Sequence, residues 1–271
     1  MALFAKYVTI DGTGIHYLHT GPSTLPGVPP ALDRGHLFLL VHAAGSNAGM
    51  WRRQLEGLGA EHSALALDLP GHGRSCGVDG LGSIEEYAML VERFVAALGL
   101  RRCVLVGRSM GGAIAMVLAA RQPTLFSGLV LACTTARFAL PDQTLAQLHD
   151  VVRGRLPQQF GTEAFSPSTP QPIMVEAWRE QVKTDPRVRY GDLLACRAFD
   201  GRALLPRLRT PTLVVAGMDD AVTPVSCAEE LAREIPGARL AVLEQAGHQA
   251  PLEQSDAVNR LLLEFAGSLA R

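Results

Sequence analysis

The sequence predicts an α/β fold, a mostly parallel and doubly wound sheet with a small helical cap inserted between two strands. Three observations carry that prediction. Short apolar runs alternate with helix-like segments along most of the chain. Most of those runs are unbroken rather than alternating in polarity, as strands covered on both faces require. The stretch 139–200 interrupts the rhythm, with helix-like pieces and no strand signal.

The elements follow in order. "YVTI" and "IHYLHT" flank Asp11-Gly12-Thr13-Gly14, the signature of a hairpin. A loop rich in Pro and Gly, Ser23–Gly35, comes next. Six strand candidates follow: "HLFLLVHA", "SALALDL", "CVLVG", "LVLACTT", "TLVVAG" and "RLAVLEQ". Ser83-Ile84-Glu85-Glu86 opens a helix with a capping box, the serine accepting from the Glu86 amide and the carboxylate reaching back, and Gly99 ends it. "MGGAIAMVLAARQP" is apolar nearly all round, so this helix is expected at the centre, with Pro123 stopping it. The sequence closes with the amphipathic "SDAVNRLLLEFAGSLA". The domain reading is a core of residues 1–138 and 201–271 with a cap of 139–200, built from "TLAQLHDVV", "IMVEAWREQV" and "YGDLLACRAF".

Charge and composition remove several function classes. With 25 basic and 26 acidic side chains the net charge is −1, too small a field to recruit nucleic acid or an anionic membrane. The first residues, "MALFAKYVTIDGTG", place an acid early and lack the apolar stretch of a signal peptide. No apolar run reaches the ~20 residues a spanning helix needs. Cys76, Cys103, Cys133, Cys196 and Cys227 are scattered, with no C-x-x-C and no zinc spacing, and read as reduced packing residues. The expectation is a cytoplasmic protein with no cofactor and no metal. Its partner is a small molecule, not nucleic acid or membrane.

Chemistry concentrates at "VGRSMGG" (Val106–Gly112). Here Gly107-x-Ser109-x-Gly111 lies between a strand and a helix, the pattern of a nucleophile elbow. A chain that reverses so sharply strains its middle residue and brings its two arms together, which explains glycine on either side. The helix N-terminus adds free amides and a positive dipole end that favour an oxyanion. A serine hydroxyl needs a base to take its proton, and the base needs a third group to orient it. Two later strand ends supply candidates: "GMDDAVTP" offers Asp219 and Asp220, and "AGHQAPLEQ" offers His248. Among the other histidines, His42 and His72 read as loop-shaping and His149 as a surface residue.

Four motifs together, "HAAGSNAGMW", "DLPGHGRS", "GRSMGG" and the pair "GMDDAVTP" with "AGHQAPLEQ", resemble the α/β-hydrolase superfamily over nearly the whole chain. The resemblance implies Ser109 as nucleophile, His248 as base and, because Gly217, Asp220 and Pro224 fit the Gly-x-x-Asp-x-x-x-Pro pattern, Asp220 as the orienting acid. It places the oxyanion amides at Met110 and at Ala44, although His42-Ala43-Ala44-Gly45 departs from the commoner His-Gly start of that loop. Serine at the elbow separates the chain from dehalogenases and epoxide hydrolases, which resemble it but carry aspartate there.

An acyl-enzyme chemistry on small carboxylic esters or lactones is the expected activity. The stretches "GMWRRQ", "LVLACTTARF" and "YGDLLACRAFDGRALLPRLRTPTLVVAGMDDAVTP" are similar to the 3-oxoadipate enol-lactonase branch. That branch would need a cation in its pocket, with Arg108, Arg137 and Arg197 as candidates by location. Arg108, Phe138 and Trp178 are the expected pocket residues. Two alternatives remain open. One is a carbon–carbon bond hydrolase of the same fold, whose members usually carry asparagine where Arg108 stands. The other is a slow-turnover small-molecule receptor, for which the mixed, charged surface of the cap is poorly suited.

Overall fold

The structure, a computed structural model, describes residues 3–270. The chain enters as an antiparallel hairpin, β1 (Phe4–Ile10) and β2 (Thr13–His19), turned by Asp11 and Gly12 at φ of 49° and 80°. Two successive positive φ values match the right-handed twist of the flanking strands. Six further strands follow: β3 (Leu37–Val41), β4 (Ser63–Leu67), β5 (Cys103–Arg108), β6 (Phe126–Ala132), β7 (Thr212–Gly217) and β8 (Arg239–Leu243). The sheet order is β1-β2-β4-β3-β5-β6-β7-β8, with parallel pairing everywhere except at the two edges of β2.

Strands β3 to β7 are buried almost throughout, which is why their runs are apolar without alternation. β8 differs from that expectation. Its first two residues, Arg239 and Leu240, are exposed and the rest half-buried, because β8 is the last strand and has no neighbour on its far side.

Helices cover both faces. α1 (Arg52–Leu58) and α9 (Ser255–Gly267) press Leu55, Leu58, Val258, Leu262 and Phe265 onto one of them. On the other lie α2 (Ile84–Ala97), α3 (Met110–Arg121) and α7 (Val225–Glu234). α3 is buried from Met110 to Ala119, as an all-round apolar sequence demands. At the start of α2, Ser83 accepts from the Glu86 amide at 3.2 Å, but the Glu86 carboxylate accepts a hydrogen bond from the Ser83 hydroxyl instead of from the backbone N–H. The other end of α2 closes as a Schellman turn: Gly99 has φ 64°, its amide donates to Ala96 O, and Leu100 N donates to Val95 O.

Between β6 and β7 run α4 (Asp142–Val152), α5 (Gln171–Gln181) and α6 (Pro186–Ala198), here called the cap. A lone antiparallel bridge between Arg137 and Asp200, and a 2.8 Å bond from Gly201 N to Ala136 O, tie the two ends of this insertion together. A short helix, α8 (Ala250–Glu253), precedes α9.

Candidate active site

Ser109 is the single residue between the end of β5 and the start of α3, with φ 52° and ψ −119°. A serine holds that strained conformation only where its surroundings enforce it. Ser109 N donates to Ala132 O at 3.1 Å, and Ser109 O accepts from the Thr134 hydroxyl at 2.7 Å and from Gly112 N at 2.8 Å. The flanking glycines are sterically required. A Cβ on Gly107 would run into the carbonyl of Gly111, and a Cβ on Gly111 into the carbonyl of Val41.

The loops after β7 and β8 bring two more groups to the same place. His248 Nε2 lies 3.0 Å from Ser109 Oγ, and His248 Nδ1 lies 2.9 Å from Asp220 Oδ2. Asp220 is fixed in turn: Oδ1 accepts from the amides of Val222 and Thr223, each at 2.8 Å, and Oδ2 from the Thr223 hydroxyl at 2.8 Å. Its neighbour Asp219 is exposed and instead accepts a 2.6 Å hydrogen bond from Ser166 of the cap.

Burial alone would raise the Asp220 carboxyl, but His248 and the Thr223 donors outweigh it and hold the group below the usual carboxylate range. His248 moves the other way. Burial depresses it below the ordinary histidine value against the pull of Asp220, and the nearby Arg108 cation adds to the depression. The arrangement is a neutral imidazole, its Nδ1–H on a carboxylate and its Nε2 lone pair facing a serine hydroxyl. Such a chain can take the serine proton and later give it back.

The amides of Met110, the residue after Ser109, and of Ala44, in the loop after β3, have no acceptor among the described residues. The loop carrying Ala44 is set by His42. His42 Nδ1 donates to Ala43 O at 2.8 Å while His42 Nε2 accepts from Leu69 N at 3.1 Å. Burial pushes His42 down to about 4, which keeps it in the neutral form that can both donate and accept. Ser46 N binds the same Ala43 oxygen at 3.1 Å. Since a trans peptide points its N–H opposite its C=O, these contacts on Ala43 O restrain the Ala44 N–H from the core side.

The expected pocket residues are placed less uniformly. Arg108 is 5% exposed, and its Nε donates to the backbone oxygen of His248 at 3.0 Å, so it braces the histidine from behind. It borders a small cavity shared with His42, Trp51 and Gln249. Phe138 is absorbed in the apolar core, and Trp178 packs edge-on against Phe160 within the cap, with ring centroids 5.5 Å apart. Neither borders that small cavity. Arg137 and Arg197 lie on the outside: Arg137 is exposed at the neck of the cap, and Arg197 pairs with Asp142 at 2.5 Å.

Four residues escaped the sequence reading. Thr223 and Thr134 buttress the acid and the elbow; Thr223, three residues after Asp220, fits a side-chain-capped turn that could have been recognised. Arg189 of α6 lays its stem against Gly45 and has no ion-pair partner among the described residues. Asp192, a charge on the buried face of α6 beside Val188, Ala195 and Cys196, carried the clearest missed signal.

Comparison with known proteins agrees with the architecture. The model of the alpha/beta hydrolase family matches residues 38–261. The putative carbamate hydrolase RutD of Azorhizobium caulinodans is 31% identical, the match covering 87% of this chain and 92% of the relative. The enol-lactonase of Burkholderia xenovorans LB400 superposes with a TM-score of 0.81 at 26% identity, over 97% of this chain and 100% of that one. A thermophilic esterase does so with a TM-score of 0.81 at 28% identity, over 99% and 100%.

Proposed function

The chain belongs to the alpha/beta hydrolase family, and we propose that within it the protein is a serine hydrolase cleaving a small carboxylic ester or lactone. The observation that carries this reading is the Ser109–His248–Asp220 chain of hydrogen bonds, 3.0 and 2.9 Å long, anchored on a strained elbow.

In the proposed reaction Ser109 Oγ attacks the carbonyl carbon as its proton passes to His248 Nε2, and Asp220 stabilises the imidazolium so formed. The carbonyl oxygen becomes an oxyanion held by the amides of Met110 and Ala44. As the tetrahedral intermediate collapses, the bond to the alkoxy oxygen breaks and that oxygen takes the proton from His248. In a lactone the new hydroxyl stays tethered to the acyl group. Water then attacks the acyl-enzyme, His248 accepts its proton, and collapse releases the carboxylic acid and restores the Ser109 hydroxyl. Arg189, whose stem lies beside Gly45 and which has no ion-pair partner among the described residues, favours substrates that carry a carboxylate of their own. A second reading, cleavage of a carbamate, is favoured by the 31% identity to the putative carbamate hydrolase and uses the same attack on a carbonyl.

The test is a mass shift after treatment with a fluorophosphonate, alongside turnover of short p-nitrophenyl esters, a lactone panel and aryl carbamates. Labelling is expected at Ser109, with rapid turnover of one class. Ser109→Ala should fold normally and lose about 10³-fold or more in kcat. An alanine variant with full esterase activity refutes the nucleophile. Labelling with no turnover of any of these classes shifts the reading to carbon–carbon bond hydrolysis or to a receptor.

A further inference from the structure

Asp192 is out of character for its position. It sits on the buried side of α6 with none of its surface exposed, where a carboxylate persists only if its lone pairs and its charge are met. Three donors meet them, from three separate core segments. Oδ2 accepts from Gly45 N at 2.8 Å and from His72 Nε2 at 2.7 Å, and Oδ1 accepts from the Tyr87 hydroxyl at 2.5 Å.

Gly45 is the residue after Ala44, so the Asp192 contact lands one peptide from the proposed oxyanion donor. The cap grips the same loop twice more. The Thr184 hydroxyl donates to Ser46 O at 3.1 Å, and Asn47 Nδ2 donates to Glu180 O at 2.8 Å. The core holds the loop from below through His42 and through Asp68 Oδ1, which accepts from Ala48 N at 2.6 Å. Gly45 itself has φ 61° and passes so close under the Arg189 stem that a Cβ there would collide with it. The loop is thus clamped between two buried carboxylates, Asp68 of the core and Asp192 of the cap.

We propose that Asp192 is a positioning residue: by holding the Gly45 amide it sets the Ala44 amide for the oxyanion, so the oxyanion site is complete only while the cap is seated. This rests on the serine-hydrolase reading above. The cap then does more than cover substrate. A cap that lifts takes Asp192, Thr184 and Glu180 away from the loop together, and an open site loses one oxyanion donor while its Ser109–His248–Asp220 chain stays intact. Hydrolysis is thereby confined to the closed state.

The experiment compares Asp192→Leu, which keeps the bulk and removes the acceptor, with Asp192→Asn, which keeps one oxygen. Each is measured for kcat and KM on a p-nitrophenyl ester, for inhibition by phenylboronic acid, whose tetrahedral adduct loads the oxyanion site, and for its thermal midpoint. Asp192→Leu should lose about 10²-fold in kcat, the usual effect of losing one oxyanion donor, with KM within about threefold of wild type. Boronate affinity should fall in step with kcat. Asp192→Asn should recover part of the loss, to within about tenfold of wild type, since its oxygen can still accept from Gly45 but its NH2 cannot.

If Asp192→Leu does not fold, Asp192→Asn decides alone: lowered kcat with lowered boronate affinity supports the role, and wild-type values overturn it. A raised KM with unchanged kcat, a lowered midpoint with kcat intact, or loss of folding in both variants also overturns it, since each makes Asp192 a pocket or fold residue only. Fluorophosphonate treatment of the wild type separates the two claims. No label on Ser109 removes the hydrolase reading and this inference with it, whereas label on Ser109 with unaffected variants removes only the role of Asp192.

Discussion

The Asp220–His248 pair and the Asp192–His72 pair look alike at first contact, with histidine–carboxylate distances of 2.9 and 2.7 Å and all four side chains buried. They part in what each imidazole has left over. His72 spends both nitrogens inside the protein, Nδ1 on Pro70 O at 2.9 Å and Nε2 on Asp192. His248 spends only Nδ1 and turns Nε2 to Ser109. Their protonation differs too. Burial depresses both rings, but for His72 the charge and hydrogen bond of Asp192, helped by Asp68, overcome it and raise the pKa above the ordinary value. For His248 burial wins, with Arg108 pushing the same way. A buried histidine–carboxylate contact is therefore no sign of catalysis by itself. The free nitrogen and the sign of the next nearest charge decide whether the ring is a base or a fixed cation.

The sharpest way to break this comparison is to make the same change in both pairs. Asp220→Asn leaves the shape but offers an amide where His248 Nδ1–H needs an acceptor, turning the ring toward the wrong tautomer. A fall of about 10³–10⁴-fold in kcat is expected, with the thermal midpoint little changed. Asp192→Asn should cost about tenfold, as only an indirect contact is weakened. If single-turnover or steady-state kinetics show equal losses, the distinction between a base and a positioning pair does not hold.

Why one pair was legible in the sequence and the other was not follows from chain connectivity. Ser109 directly follows β5, and Asp220 and His248 lie in the loops just after β7 and β8; strands of a parallel sheet announce themselves as short unbroken apolar runs. The sheet order then delivers all three strand ends to one edge. Choosing Asp220 over Asp219 rested on the resemblance to a known family, although Thr223, three residues after Asp220, is a local sign of the turn that holds it. β8 was read as buried on both faces because its composition is apolar, yet Arg239 and Leu240 are exposed, and position in a sheet is not written in a strand's own residues. Asp192 depends on donors 147, 120 and 105 residues away, so only the oddity of a charge on an apolar helix face could have flagged it. The arginines show the same limit: Arg137 stands at the neck of the cap and Arg189 and Arg197 within it, and only folding tells which face solvent.

A gentler probe acts on the next nearest charge. Arg108 disfavours the imidazolium of His248, so removing the cation should raise the His248 pKa. Arg108→Gln keeps an N–H to donate to His248 O and deletes only the charge. In the wild type the acid limb of kcat/KM, which reports the base in the free enzyme, should lie below the ordinary histidine value of ~6.5. In Arg108→Gln it should move to higher pH. A limb that stays put or moves lower would mean that Arg108 braces the backbone without setting the base.

The smallest effect is expected at Asp219, and its smallness is informative. Asp219 and Asp220 are adjacent at the end of β7, yet the turn sends one side chain inward to three donors and His248 and the other outward to Ser166. Asp219→Asn keeps an oxygen for the Ser166 hydroxyl and removes a charge that solvent already screens. Its kcat should stay within about threefold of wild type, since exposed substitutions of this kind rarely shift energies by more than a few tenths of a kcal/mol. Parity with Asp220→Asn would require the two aspartates to exchange roles, the loop flipping so that Asp219 reaches His248. That flip would have to break the two hydrogen bonds that the Val222 and Thr223 amides donate to Asp220 Oδ1, so the turn itself opposes it.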